Sequence, residues 1–294
     1  MHGSGPHQKH GKSKREPRAW VMDWTAFQFD YRLDLPRLMP HIAAVEVYRQ
    51  AATSRILPPQ WRELDQADAA QTPDDSQVAK AAAARVWVNQ RFAPESPQVC
   101  WDDLLTLHRI VAYSENPECI PGVLRTVPVL VGDREIGIYY GAPPGRLPEL
   151  MQRYVQFINR RDMQELHPLI QALLAHFFLV TIHPFGDANG RVARLLSTGL
   201  LRQSGYNVHG GFYALSAYFY KNDLEYHVLQ HRCWQGPLPF DLTEFVAFGM
   251  QGFIMELKSI DSFVKMKLNR IIDRESLVAE RQRRTRRSRP AAHC

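Results

Sequence analysis

The sequence predicts an all-α protein that carries a single β-hairpin. Apolar residues recur at helical spacing over most of the chain, Pro and Gly fall between those stretches, and strict alternation is confined to one segment. Helices fit Leu33 to Ala52, which Pro58-Pro59 stop, then Ala-rich Ser76 to Phe92, then Trp101 to Tyr113. Pro121 to Pro144 changes character. Val127, Val129 and Val131 on one side, and Ile136, Ile138 and Tyr140 on the other, flank Gly132-Asp133 and predict two short strands closed by a turn. Beyond Pro143-Pro144, helices fit Pro148 to Asn159, His167 to Ile182, Arg191 to Ser204 and Asp223 to Gln230, and a last amphipathic stretch runs from Leu242 to about Glu280.

Composition agrees with a folded core. With 294 residues, 45% hydrophobic, 11% aromatic and 22% charged, the chain excludes the disordered and repeat classes. The apolar run from Leu169 to Ile182 is broken by His176 and falls short of the roughly 20 residues a membrane span needs, so no membrane contact is expected. Met1 to Arg18 is polar and basic without an apolar stretch behind it, and Cys100, Cys119, Cys233 and Cys294 lack metal-ligand spacing. A soluble, cytoplasmic protein is expected. The net charge of +6 resides in the ends: residues 1–18 carry +4 and residues 281–289 carry +6, which leaves the body at −4. Such tails attract nucleic acid or anionic lipid non-specifically, but solvated ends are the favoured reading, and nucleic acid is not expected as a partner.

Chemistry concentrates in His183-Pro184-Phe185-Gly186-Asp187-Ala188-Asn189-Gly190-Arg191-Val192-Ala193-Arg194. An apolar helix ends near Ile182, turn and capping residue types follow, and a new helix is expected close to Arg191. Arg191 and Arg194 then share a face in its first turn, where the helix dipole disfavours cations. An anion at that position resolves the conflict, because free N–H groups at a helix start and two guanidiniums form a phosphate cradle. Gly190 lets phosphate approach the backbone. Asp187 is the lone carboxylate that a Mg²⁺ ion on a polyphosphate requires, and His183 is a candidate base. Each residue also has a plainer role: His183 as a helix-end residue bonded to carbonyls, Asp187 and Asn189 as caps, the arginines as partners of surface acids.

This segment resembles the signature of the Fic (Fido) family, His-x-Phe-x-Asp/Glu-Gly-Asn-Gly-Arg-x-x-Arg, at every fixed position except Ala188, where the family has glycine. The likeness extends to His176-Phe177-Phe178, Gly122-Val123-Leu124-Arg125, Leu215-Ser216, and Lys221-Asn222 with Tyr226, over roughly residues 96 to 256. It implies a Fic-type helical bundle with one β-hairpin flap, preceded by an N-terminal helical region. The implied divisions are a basic tail over 1–18, a helical region over 19–95, the Fic domain over 96–258, a helix over 259–280 and an Arg-rich tail over 281–294. It also implies a protein adenylyltransferase that moves AMP from Mg-ATP to a target hydroxyl. In that analogy His183 deprotonates the hydroxyl, Asp187 binds Mg²⁺, Asn189 and Gly190 form the anion hole, and Arg191 and Arg194 hold the outer phosphates. Phe185 anchors the loop. Asn222 and Tyr226 resemble adenine-pocket residues, and read from the residues alone either fits an ordinary helix position. The 127–140 hairpin resembles the flap that aligns a protein substrate by strand addition.

Two departures matter. Alanine at 188 costs on the order of 1 kcal/mol or more if that position needs a positive φ. It also resembles the Doc branch, which phosphorylates its target, whereas Gly190 and Arg194 follow the AMP-transferring branch. Many relatives carry an inhibitory Ser/Thr-x-x-x-Glu helix; Thr53 to Pro58 stands in the corresponding place with Leu57 where the glutamate belongs, and Ser276 to Glu280 is a weaker candidate. Leucine forms no ion pair with Arg194, so inhibition from the N-terminal helix is expected to be absent, with constitutive activity or restraint by an antitoxin-like partner in trans. Homo-oligomerisation is left open. The alternatives are a Doc-like kinase, another nucleotide or phosphocholine transferase, and a non-catalytic nucleotide- or nucleic-acid-binding protein.

Overall fold

A helix that is apolar on every side has to be surrounded, and Pro168–Ile182 is such a helix, buried along nearly its whole length. In the computed structural model, which describes residues 19–54, 75–112, 119–133, 137–206, 216–259 and 262, it occupies the centre. The elements run β1 (Ala19–Trp20), β2 (Tyr31–Arg32), α1 (Leu35–Ser54), α2 (Asp75–Arg91), α3 (Trp101–Val111), β3 (Leu130–Asp133), β4 (Gly137–Tyr140) and α4 (Leu147–Ile158). They continue with α5 (Arg161–Gln164), the central α6 (Pro168–Ile182), α7 (Asn189–Gln203), α8 (Ser216–Lys221), α9 (Asp223–Gln235), β5 (Phe240–Asp241) and a last helix over 243–259. The architecture is the helical bundle with one hairpin that the periodicity predicts.

The neighbours of α6 approach closely where small residues permit. A Cβ on Gly249, in the last helix, would lie 2.2 Å from Leu173 of α6, and one on Gly199 of α7 would lie 2.7 Å from Phe92 after α2. Ser197 of α7 donates to the Ala172 carbonyl at 2.9 Å, which ties the two central helices. Trp24, Phe27 and Phe29, from the stretch between β1 and β2, are buried against this core; Phe29 stacks on Phe157 and meets Phe178 edge-on. That stretch has no periodic signal, yet it supplies three large aromatic side chains.

The hairpin differs in register from the sequence expectation. Gly132 and Asp133 are not the turn: they end β3, paired with Ile138 and Gly137 of the antiparallel β4. Gly132 has φ +97°, and a Cβ there would lie 2.3 Å from the Gly137 carbonyl oxygen, so glycine serves close strand approach inside the ladder. The connection over 134–136, including Ile136, lies outside the described residues. β1 pairs in parallel with β4, giving the order β1-β4-β3, and β2 pairs with β5. Both two-residue pairings are too short to read from a sequence. Other bounds shift as well: α7 starts two residues before Arg191, α9 runs on to Gln235, and α5 and α8 are additional. The tails at 1–18 and 281–294, Leu57, Pro58-Pro59, Tyr113, Leu215 and Ser276 to Glu280 lie outside the described residues. Among the described residues, no helix is long and apolar enough to cross a membrane.

Gly249→Ala is expected to destabilise the protein by about 1–3 kcal/mol, because the buried Leu173 side chain has no room to yield; urea denaturation by circular dichroism measures it.

Candidate active site

The site forms where α6 stops. His183 is its C-cap, in a left-handed conformation (φ 54°, ψ 60°) with its N–H bonded to the Leu179 carbonyl, and Pro184 cannot continue the helix. The ring Nδ1 lies 3.2 Å from the Val180 carbonyl oxygen and therefore donates to it. That contact assigns the tautomer and leaves the Nε2 lone pair open. Burial pushes the imidazole down to about 4, against the opposing pull of the Val180 carbonyl, so the ring is neutral at physiological pH. A neutral imidazole with an open Nε2 is a proton acceptor.

The loop from 184 to 188 is held from both sides. Phe185 is fully buried and stacks on His108, ring centroids 3.9 Å apart. Its N–H donates to Asn189 Oδ1 and its carbonyl accepts from Asn189 Nδ2, each at 2.9 Å. The Asn189 side chain is therefore a clamp on the loop, not a helix cap. The N-cap is Ala188, with φ 61° and no side-chain cap bond. This is the positive φ that disfavours alanine.

At the start of α7 the N–H groups of Asn189 and Gly190 bond to no described residue. The two arginines behave differently from one another. Arg191 donates to Asp187 Oδ2 at 2.7 Å and to the Val111 carbonyl at 2.7 Å, so the surface-pair role holds for it. Arg194 lies in the second turn of the earlier-starting helix, not the first, and its guanidinium makes no hydrogen bond or ion pair with any described residue. One of its Nη atoms sits 3.1 Å from where a Gly190 Cβ would be, so the missing side chain at 190 lets the guanidinium fold back over the helix start. Burial lowers its pKa, and only Tyr226 and Asp223 pull in the other direction. A half-buried cation without a partner among the described residues, beside a second cation and two N–H groups that bond to none of them, has the chemistry to hold an anion.

Asp187 is the single carboxylate here, and no group of three or more His, Cys, Asp or Glu among the described residues forms a metal cage. One partly exposed carboxylate with an oxygen to spare beside a phosphate cradle fits a Mg²⁺ ion that keeps waters and phosphates as its other ligands. Asn222 is the N-cap of α9, and its Nδ2 donates to the Tyr218 carbonyl at 2.9 Å. Tyr226 is 6% exposed, stacked on Phe219, with its hydroxyl 2.8 Å from His176 Nε2. Tyr226 thus stands near Arg194 as part of the core. The structure adds two residues to those the sequence singles out for roles: His108, under the loop, and Arg125, which belongs to the family likeness without a role read for it.

Residues 98–201 match the Fic/DOC family. The segment that carries the site is similar to that family. A protein adenylyltransferase Fic of Drosophila grimshawi is 40% identical over 109 residues, 37% of this chain and 21% of that protein. A protein of the same name from Culex quinquefasciatus is 33% identical over 133 residues, 45% of this chain and 25% of that protein. This chain therefore spans about a quarter or less of the length of these relatives. A Fic family protein from Desulfovibrio desulfuricans shares the fold with a TM-score of 0.58 at 18% identity, over 81% of this chain and 77% of that one.

Two outcomes are expected. Ala188→Gly raises stability by about 1 kcal/mol by relieving the left-handed alanine, read from the shift in urea midpoint. Burial also pushes His108 and His183 down to about 4 and His176 to about 3. Below the ordinary histidine value near 6.5 the unfolded chain binds protons that the folded chain refuses, so stability is full above that pH and falls as pH drops toward about 4. A urea midpoint that stays constant from pH 7 to 4.5 contradicts this.

Proposed function

We propose that this chain transfers AMP from Mg-ATP to a hydroxyl side chain of a target protein. The observation that supports the reading is Arg194, a guanidinium with no partner among the described residues, folded over a helix start whose first N–H groups bond to none of them, a setting that suits the triphosphate of ATP. The names of the relatives over the signature segment support the same chemistry.

In the proposed reaction the N–H groups of Asn189 and Gly190, with Arg191 and Arg194, hold the phosphates and orient Pα. His183 Nε2 accepts the proton of the target hydroxyl as its oxygen bonds to Pα, and the bond from Pα to the β-phosphate oxygen breaks, releasing pyrophosphate. Asp187 would hold Mg²⁺, which supplies charge neutralisation on the phosphates when bound. Asn222 and Tyr226 would contribute to the adenine pocket. A target segment would add to the flap by strand pairing, and β3 offers the edge for it, since it has no second strand neighbour among the described residues and β4 is flanked by β1. No described carboxylate pairs with Arg194, which is consistent with constitutive activity or with restraint by an antitoxin-like partner in trans.

Intact-mass analysis of the full chain after incubation with Mg-ATP tests the reading. The expected result is a gain of about 329 Da per AMP added to the chain itself, absent in His183→Ala. A gain of about 80 Da instead assigns phosphoryl transfer, and no gain with either nucleotide group rejects the transferase reading.

A further inference from the structure

Arg125 is 3% exposed and has no carboxylate partner among the described residues, an unusual setting for a guanidinium. Its Nε donates to the main-chain carbonyl of His183 at 2.7 Å, one Nη to that of Val127 at 2.8 Å, and the other Nη to that of Ala142 at 2.5 Å. The three acceptors come from three places: the residue proposed as the base, the chain entering the flap, and the chain leaving it. Resting on the transferase reading, we infer that Arg125 is a positioning residue that locks the flap and the catalytic histidine into one rigid unit, so that a target strand seated on the flap is registered against His183.

Its surroundings point the same way. The N–H of Arg125 donates to the Pro184 carbonyl, and the N–H of Ala142 donates to the Ile182 carbonyl, each at 3.1 Å, so main-chain bonds bracket His183 on both sides. Tyr139 of β4 reaches the Thr181 carbonyl with its hydroxyl at 3.0 Å. Gly141 is wedged in the same junction: a Cβ there would lie 3.1 Å from Arg125, 3.2 Å from His183 and 2.9 Å from Val129. His183 sits in a left-handed conformation that its own side chain does not favour, and the Arg125 bond to its carbonyl helps hold that geometry. A planar fork with five donors bridges three divergent carbonyls, whereas a lysine ammonium is a point on a flexible stem and cannot reach all three. Neutral carbonyls leave the charge uncompensated, and burial lowers the guanidinium to about 10, still cationic at neutral pH.

The test uses the full chain with Arg125→Lys and, as a variant that keeps Arg125 itself, Gly141→Ala. Three quantities are read: the affinity for Mg-ATP by calorimetry, the rate of AMP addition to the chain by intact mass, and hydrogen exchange at the amides of Arg125, Ala142 and His183. The expected result is nucleotide affinity within about twofold of wild type, a transfer rate lowered about tenfold to a hundredfold, and faster exchange at those amides. Transfer within twofold of wild type in both variants overturns the inference, as does a parallel loss of nucleotide affinity and rate, which marks Arg125 as general scaffolding. Wild type without transfer defeats the function reading instead; exchange still decides the positioning claim, and unchanged protection of Ala142 and His183 in both variants rejects it.

Discussion

Free N–H groups at a helix start and a guanidinium without a carboxylate are each unfavourable, and at the start of α7 they coincide. The N–H groups of Asn189 and Gly190 bond to no described residue, and Arg194 folds back over the helix start through the space left by the absent side chain at 190. Each feature alone has remedies: a serine or aspartate at the cap, a glutamate one turn away. Neither remedy is present, and Ala188 at the cap even adds backbone strain. An anion with several oxygens satisfies all of these groups at once, which is why the rest of the site is best understood as the apparatus that holds this helix start in place.

That apparatus is built by packing. The apolar α6 runs through the middle of the bundle and delivers His183 at its end, while Phe185, stacked on His108, pins the following loop into the core. Asn189 then closes the loop with two bonds to Phe185, fixing where α7 begins. Histidine, loop and the start of α7 therefore share one rigid foundation, and the flap is joined to it through Tyr139, Ala142 and Arg125. Of the two arginines in the signature, Arg191 is tied to Asp187 and Val111, and Arg194 keeps its charge uncommitted. The division suits a site in which Arg191 also orders the loop while Arg194 is kept for the proposed ligand.

Much of this was legible in the sequence because it depends on local chemistry. Helical spacing located the long helices to within a few residues, and the glycine that the family pattern places at 188 raised the question of a positive φ, which Ala188 does adopt. What escaped depends on partners distant in the chain. Nothing in Trp24, Phe27 and Phe29 announces that they fill the core beside Phe157 and Phe178. The hairpin turn was misplaced because Gly132-Asp133 is a good turn pair by composition, while the glycine is in fact needed for a close strand contact. Asn189 reads as a capping type, yet its amide finds better use on Phe185, and starting α7 two residues earlier moved Arg194 out of the first turn. Arg125 carried no visible role, since its partners are main-chain carbonyls that no side-chain pattern encodes.

The central claim is that the charge of Arg194 is matched by a nucleotide phosphate. Titrating Mg-ATP into the full chain and into Arg194→Met by calorimetry tests it most directly. Saturable binding by the wild-type protein, weakened about tenfold or more in the variant, is the predicted result. Equal affinity in the two proteins, or no binding heat in either, contradicts it.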